Sequence, residues 1–330
     1  MTVALVTGTA GFIGFHLAQA LLRAGIPVTG FDGMTDYYDV ALKRHRHDIL
    51  GNFPGFTRHE AMLEDQEALA AAFEQAKPDV VVHLAAQAGV RYSLENPRAY
   101  LDANLVGSFN LLELARTAEV KHLLVASTSS VYGGNDVMPF TESQPTHQPL
   151  TLYAATKLSV EAMGHAQAHA WDQPMTMLRF FTVYGPWGRP DMALFKFVRA
   201  TLAGEPIDVY GNGQMARDFT YVDDTVRAVM LLIERGAPTL GEPGVSPTAP
   251  FRVVNVGHGA PVQLLDFVAE IERNLGRKAE RRYLPRQVGD VACTHADASL
   301  LETLTGFRPR VEVAEGIAAF VDWYRNYYSV

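Results

Sequence analysis

Short apolar runs alternate with longer amphipathic stretches through the first half of the chain. Val3–Val6 runs into Thr7-Gly8 and is followed by an amphipathic stretch from Phe12 to Arg23. Gly25 closes that stretch, where a helix C-terminus favours glycine. A second apolar run, Ile26–Phe31, ends at Asp32. The spacing then predicts helices over Gln66–Gln75, Tyr100–Ala118 and Leu152–Trp171, and strands over Asp79–Ala86, His122–Ala126 and Met175–Phe181. Runs of Val, Leu and Ile without polar alternation belong to strands covered on both faces. The expected fold is therefore α/β, a Rossmann-type doubly wound parallel sheet.

After residue 182 the rhythm changes. Gly185-Pro186-Trp187-Gly188-Arg189-Pro190 interrupts it, and the segments become shorter and more mixed. Ala237–Pro250 is rich in proline and glycine and reads as a surface loop, and Val262–Leu275 and Val313–Tyr324 read as helices. These patterns divide the chain into a cofactor domain at 1–181 and a smaller mixed α/β lobe at 182–330. Part of 218–260 is expected to return to the first domain. Ligand would lie in the crevice between them.

Composition narrows the setting more than the chemistry. A formal charge of −8 argues against nucleic acid or an anionic membrane as the main partner. No apolar run approaches the roughly 20 residues of a membrane span, and the opening Val3–Thr7 lacks the basic start of a secretory signal. The single cysteine, Cys293, rules out an intramolecular disulfide and suits a cytoplasmic protein.

Chemistry enters with the turns. Gly8-Thr9-Ala10-Gly11-Phe12-Ile13-Gly14 joins the first strand to the first helix, the context in which a glycine pattern signifies a dinucleotide pyrophosphate. Asp32 ends the second strand, where a carboxylate accepts from ribose hydroxyls and repels a 2′-phosphate, favouring NAD over NADP. Tyr153 and Lys157 are four apart in a predicted helix and share a face. A phenol with a pKa near ~10 is a poor base at neutral pH; a neighbouring lysine and a positive nicotinamide would lower it. Ser127-Thr128-Ser129-Ser130 sets hydroxyls at the carboxyl end of a strand, the ligand-binding edge of this fold. The histidines suggest no metal: His165 and His169 are four apart, but no third ligand is evident.

These motifs resemble the extended short-chain dehydrogenase/reductase family, and within it the nucleotide-sugar epimerases, most nearly those acting on UDP-glucuronate. The resemblance runs over almost the whole chain. It is carried by Thr7–Gly14, His83–Ser93, Asn104, Val131-Tyr132-Gly133, Tyr153–Lys157, Leu178–Ala193, Arg217–Asp224 and Gly289-Asp290. It implies an NAD-dependent 4-epimerisation of UDP-glucuronate to UDP-galacturonate through a transient 4-keto sugar. Tyr153 would take the 4-hydroxyl proton, Lys157 would hold the nicotinamide ribose, and Thr128 would bond the same sugar oxygen. The cofactor would be met by Gly8, Gly11, Phe12, Ile13, Gly14, Asp32, Lys43, Leu84, Ala85, Ala86, Gln87, Asn104, Ser127, Tyr153, Lys157 and Phe180. Arg91, Ser129, Ser130, Thr182, Arg189, Arg217, Gln287 and Asp290 would meet the UDP-sugar.

Within the family, dehydratases and decarboxylases carry a carboxylate in the stretch that reads Thr128-Ser129-Ser130 here, so elimination and decarboxylation lack their acid. The family resemblance also implies a homodimer through paired helices at 97–118 and 151–171. Gly33, Met62 and Val288 depart from the family pattern, which predicts weaker retention of NAD. A neutral-sugar 4-epimerase, a decarboxylase and a nucleotide-binding scaffold without chemistry stay open on the sequence.

Overall fold

The computed structural model describes residues 2–330. The first half alternates as β1 (Ala4–Thr7), α1 (Phe12–Arg23), β2 (Val28–Asp32), α2 (Val40–Gly51), β3 (Phe56–Glu60), α3 (Gln66–Ala76) and β4 (Val80–His83). Two single turns, α4 (Tyr92–Glu95) and α5 (Pro97–Tyr100), lead through a π-helical turn at Leu101–Val106 into α6 (Gly107–Thr117). Then come β5 (His122–Thr128), α7 (Leu152–Trp171) and β6 (Met175–Phe180). The second half contains β7 (Thr182–Tyr184), α8 (Ala193–Ala203), β8 (Ile207–Tyr210), β9 (Ala216–Tyr221), α9 (Val222–Arg235) and β10 (Phe251–Val256). It ends with β11 (Pro261–Gln263), α10 (Leu264–Leu275), β12 (Arg281–Leu284), α11 (Ser299–Thr305) and α12 (Val313–Tyr328).

Seven strands form one parallel sheet in the order β10-β6-β5-β4-β1-β2-β3. Strand order reverses between β1 and β4, the point where such sheets open a crevice at their carboxyl ends. β10 comes late in the chain yet pairs with β6 along its length, from Phe251 opposite Met175 to Val256 opposite Phe180. One apolar cluster packs α1, α9 and α11 against one face of the sheet, and a second packs α3, α6 and α7 against the other. A third holds α8, α10 and α12 together over β8 and β9. β11, β9 and β7 form a three-stranded sheet beside it, and β12 pairs with β8.

Several elements differ from their sequence pattern. The strand expected over 79–86 stops at His83 because Thr7 Oγ1 accepts the N–H groups of Leu84 and Ala85, both at 3.1 Å. That side-chain bond turns the backbone out of the ladder. The expected helix at 100–118 is interrupted by the π turn that carries Asn104. α2 and β3 have no counterpart in the apolar pattern. α2 buries Lys43, Arg46 and His47 alongside its two buried leucines, Leu42 and Leu50, and β3 is an edge strand with most of its residues exposed. Residues 237–250 contain no helix or strand. His165 pairs with the Ser246 hydroxyl at 2.9 Å, and the His169 Nδ1–H donates to the Thr248 carbonyl at 2.7 Å, so these histidines fasten that loop to α7. Among the described residues no helix is long and apolar enough to cross a membrane.

Candidate active site

The glycine turn forms the floor of the crevice. Gly8 has φ +80°, and a Cβ there would stand 2.8 Å from the Ala85 nitrogen, so only glycine lets the two segments lie together. α1 starts from Gly11 with no side-chain cap, leaving the N–H groups of its first turn, including Phe12 and Ile13, for a ligand in the crevice they line. The Asp32 carboxylate accepts from the N–H groups of Ala10 and Met34, both at 2.9 Å, which fixes it at the end of β2. Lys43 donates to the Thr35 carbonyl at 2.5 Å and hydroxyl at 3.0 Å. Burial pulls its pKa down, opposed by the charge of Asp32.

Leu84, Ala85, Ala86 and Gln87 continue the floor. Behind them Asn104 is fully buried. Its side chain accepts from the Gln87 N–H at 2.8 Å and donates to the Gln87 carbonyl at 3.0 Å and to Thr156 Oγ1 at 3.1 Å. A polar side chain with no exposure is fully used in shaping the floor behind it.

Tyr153 and Lys157 sit one turn apart on α7, whose start is capped by Thr151 accepting the Ala154 N–H at 3.2 Å. Both line the crevice. Lys157 donates to the Ala126 carbonyl at 2.9 Å, and burial pulls its pKa down to about 8, with Glu161 opposing. Burial pushes the Tyr153 phenol up, while the neighbouring Thr128 hydroxyl and the charge of Arg189 pull it back. The lysine's hydrogen bond goes to the Ala126 carbonyl, and the opposing pulls on the phenol come from Thr128 and Arg189.

Thr128 Oγ1 donates to Ser130 Oγ at 3.2 Å and accepts the Ser130 N–H at 3.1 Å, so the hydroxyl-bearing turn is ordered from within. Ser127 lines the crevice but gives its hydroxyl hydrogen to the Glu161 carboxylate. Arg179 grips the same carboxylate through two bonds at 2.9 and 2.7 Å. This buried acid, one turn beyond Lys157, was not legible as a site residue, although its i, i+4 spacing from Lys157 was a signal.

Farther along, Arg91, Arg189 and Arg217 line the crevice. The Arg91 guanidinium lies 4.5 Å from the Tyr210 ring centroid. Arg217 donates to Asp290 at 2.9 Å, so two residues expected to meet the nucleotide are joined in an ion pair. Gln287 Oε1 is buried without a hydrogen-bond partner, an acceptor suited to a ligand donor. Arg189 holds Asp191 through two bonds at 3.0 and 2.5 Å, and the Tyr37 hydroxyl donates to Asp191 at 3.0 Å. Tyr37 follows β2, so this contact crosses from one side of the crevice to the other. Ser129, Thr182 and Phe180 complete the wall. The crevice measures about 1370 Å³, more than the ~300–1,000 Å³ of a single-ligand pocket, so it has room for two ligands.

A doubly wound sheet, an open glycine turn and a tyrosine–lysine pair facing a crevice with room for two ligands define a Rossmann-type enzyme that brings a dinucleotide beside a second substrate. The chain belongs to the NAD dependent epimerase/dehydratase family, whose profile matches residues 4–257. It is 57% identical to a protein of Rhizobium meliloti (strain 1021) named "Probable UDP-glucuronate 4-epimerase", over 98% of this chain and 97% of that one. It is 43% identical to UDP-glucuronate 4-epimerase 1 of Arabidopsis thaliana, over 98% of this chain and 77% of that one. Among solved structures it is similar to the UDP-glucuronic acid 4-epimerase of Bacillus cereus in complex with UDP-glucuronic acid and NAD. That likeness has a TM-score of 0.89 at 32% identity and covers 99% of this chain and 100% of that one.

Proposed function

We propose that this protein interconverts UDP-glucuronate and UDP-galacturonate by inverting the sugar's C4, with NAD as a cofactor that is regenerated within each turnover. The observation that carries the reading is the meeting of Tyr153 with Thr128, Ser129 and Ser130 on one wall of the crevice, with no carboxylate among those three wall residues. The crevice fits a dinucleotide: Gly8 permits close approach, the first turn of α1 is uncapped, and Asp32 is held for the ribose hydroxyls. When bound, NAD supplies reversible acceptance of the C4 hydrogen.

The chain's own residues do the rest. Tyr153 removes and returns the proton on the 4-oxygen, and Thr128 bonds the same oxygen. Lys157 holds the nicotinamide ribose and adds positive charge. A 4-keto uronate is a β-keto acid and loses carbon dioxide readily. Ser129, Ser130 and Thr182 hydrogen-bond the carboxylate and hold it away from the orientation that favours loss. Arg217, Arg189 and Arg91 bind the diphosphate side, since guanidinium groups suit paired phosphate oxygens. Gln287 and Asp290 take the uridine end.

The chain divides into a cofactor lobe at 1–181, joined by β10 and the elements around it, and a nucleotide-sugar lobe from 182. It works in the cytoplasm as a homodimer. Leu94, Leu101, Val106 and Phe109 are exposed along 92–117 and offer an apolar face to a second copy. A monomeric mass in solution would remove that part of the proposal. The activity is tested by incubating the protein with NAD and UDP-glucuronate: UDP-galacturonate is expected, and UDP-xylose as the main product would overturn the reading.

A further inference from the structure

We infer that Arg46 is a positioning residue that fixes the glycine turn and the Arg189-bearing segment to one another. It rests on the reading of the crevice given above. Arg46 projects from α2 and has no exposure at all. One terminal nitrogen donates to the Ala10 carbonyl at 2.7 Å and to the Tyr38 hydroxyl at 2.9 Å, and the other donates to the Trp187 carbonyl at 2.5 Å. Nε finds no acceptor. No carboxylate is among its hydrogen-bond partners within the described residues.

Burying a cation this way is costly, and an apolar side chain would fill the space at less cost. A planar fork does what an apolar chain cannot: it sets two carbonyls on different segments at a fixed separation. Both segments belong to the crevice. The Ala10 N–H donates to Asp32, so two successive peptide groups of the turn, one on either side of the Ala10 Cα, are held, one by the carboxylate and one by the guanidinium. Trp187 takes φ +60°, a strained value for a bulky residue, two positions before Arg189. Its ring is packed among Phe15, His45, Trp323 and Tyr327 at centroid distances of 5.1–5.4 Å. A second pin lies beside it: the His16 Nε2–H donates to the Pro186 carbonyl at 2.9 Å. Burial draws the His16 pKa down to about 4, which keeps the ring neutral.

The test uses Arg46→Lys, which keeps the charge but loses the fork, Arg46→Met, which keeps only the stem, and His16→Phe. Folding of each is checked by circular dichroism. In folded Arg46 variants the Kd for NAD, by calorimetry, and the KM for UDP-glucuronate are both expected to rise roughly tenfold, with kcat changing less. His16→Phe is expected to raise KM alone. A residue that only filled the core would lower the thermal midpoint and leave both constants as in wild type, and that result overturns the inference. So does a wild-type KM in His16→Phe, which decides the matter if the Arg46 variants do not fold. An Arg189→Met variant measured beside them separates the two levels: an unchanged KM there refutes Arg189 as a ligand rather than Arg46 as its support.

Discussion

Lys157 sets a pH limit on the site. A buried ammonium loses its charge as pH rises through its pKa, here drawn down to about 8 with Glu161 opposing. Charge is therefore present below that value and lost above it, so turnover should fall on the alkaline side from about pH 8. A Lys157→Arg variant cannot lose its charge in this range, and its residual activity should lack that limb. An identical alkaline limb in the variant would assign the fall to another group. Tyr153 lies at the other end of the same argument. Burial raises its pKa, so it depends on positive charge brought beside it to act as a base. The departures at 33 and 62 lie against one another: a Cβ at Gly33 would come within 2.5 Å of Met62 Sδ, so the thioether occupies the room that a side chain at 33 would take.

The π-helical turn is the element most tightly bound to function. It places Asn104 where its amide satisfies both backbone polar groups of Gln87. Asn104→Leu keeps the volume and leaves those groups unpaired inside the protein. It should cost about 2 kcal/mol of stability and weaken NAD binding; a thermal midpoint equal to wild type would show that the floor does not depend on it. The sequence pattern could not reveal such a turn, because its apolar spacing reads as a continuous helix. The strands at 4–7, 80–83, 122–128 and 175–180 were legible because they are mostly apolar and buried on both faces. α2 was not, since its buried positions include Lys43, Arg46 and His47, whose burial depends on bonds to distant segments. The same physics hid Glu161 and Asp191. Each is informative only through the arginine that grips it, and those arginines are 18 and two residues away.

Across the whole molecule, one contact bridges the two sides of the crevice. Tyr37 reaches from the segment after β2 to Asp191, which in turn holds Arg189. Tyr37→Phe removes that bond and keeps the ring against Tyr92, whose centroid lies 4.7 Å away. The variant should release NAD roughly tenfold faster or more, since one neutral-to-charged hydrogen bond is worth roughly 1.5–3 kcal/mol and about 1.4 kcal/mol is a factor of ten; an unchanged release rate would mean that the contact does not span the path. In the proposed reaction the C4 hydrogen leaves and returns within this one crevice. UDP-glucuronate deuterated at C4, turned over in ordinary water, tests this most directly. UDP-galacturonate that keeps the deuterium at C4 is the predicted result, and loss of the label to solvent would contradict it.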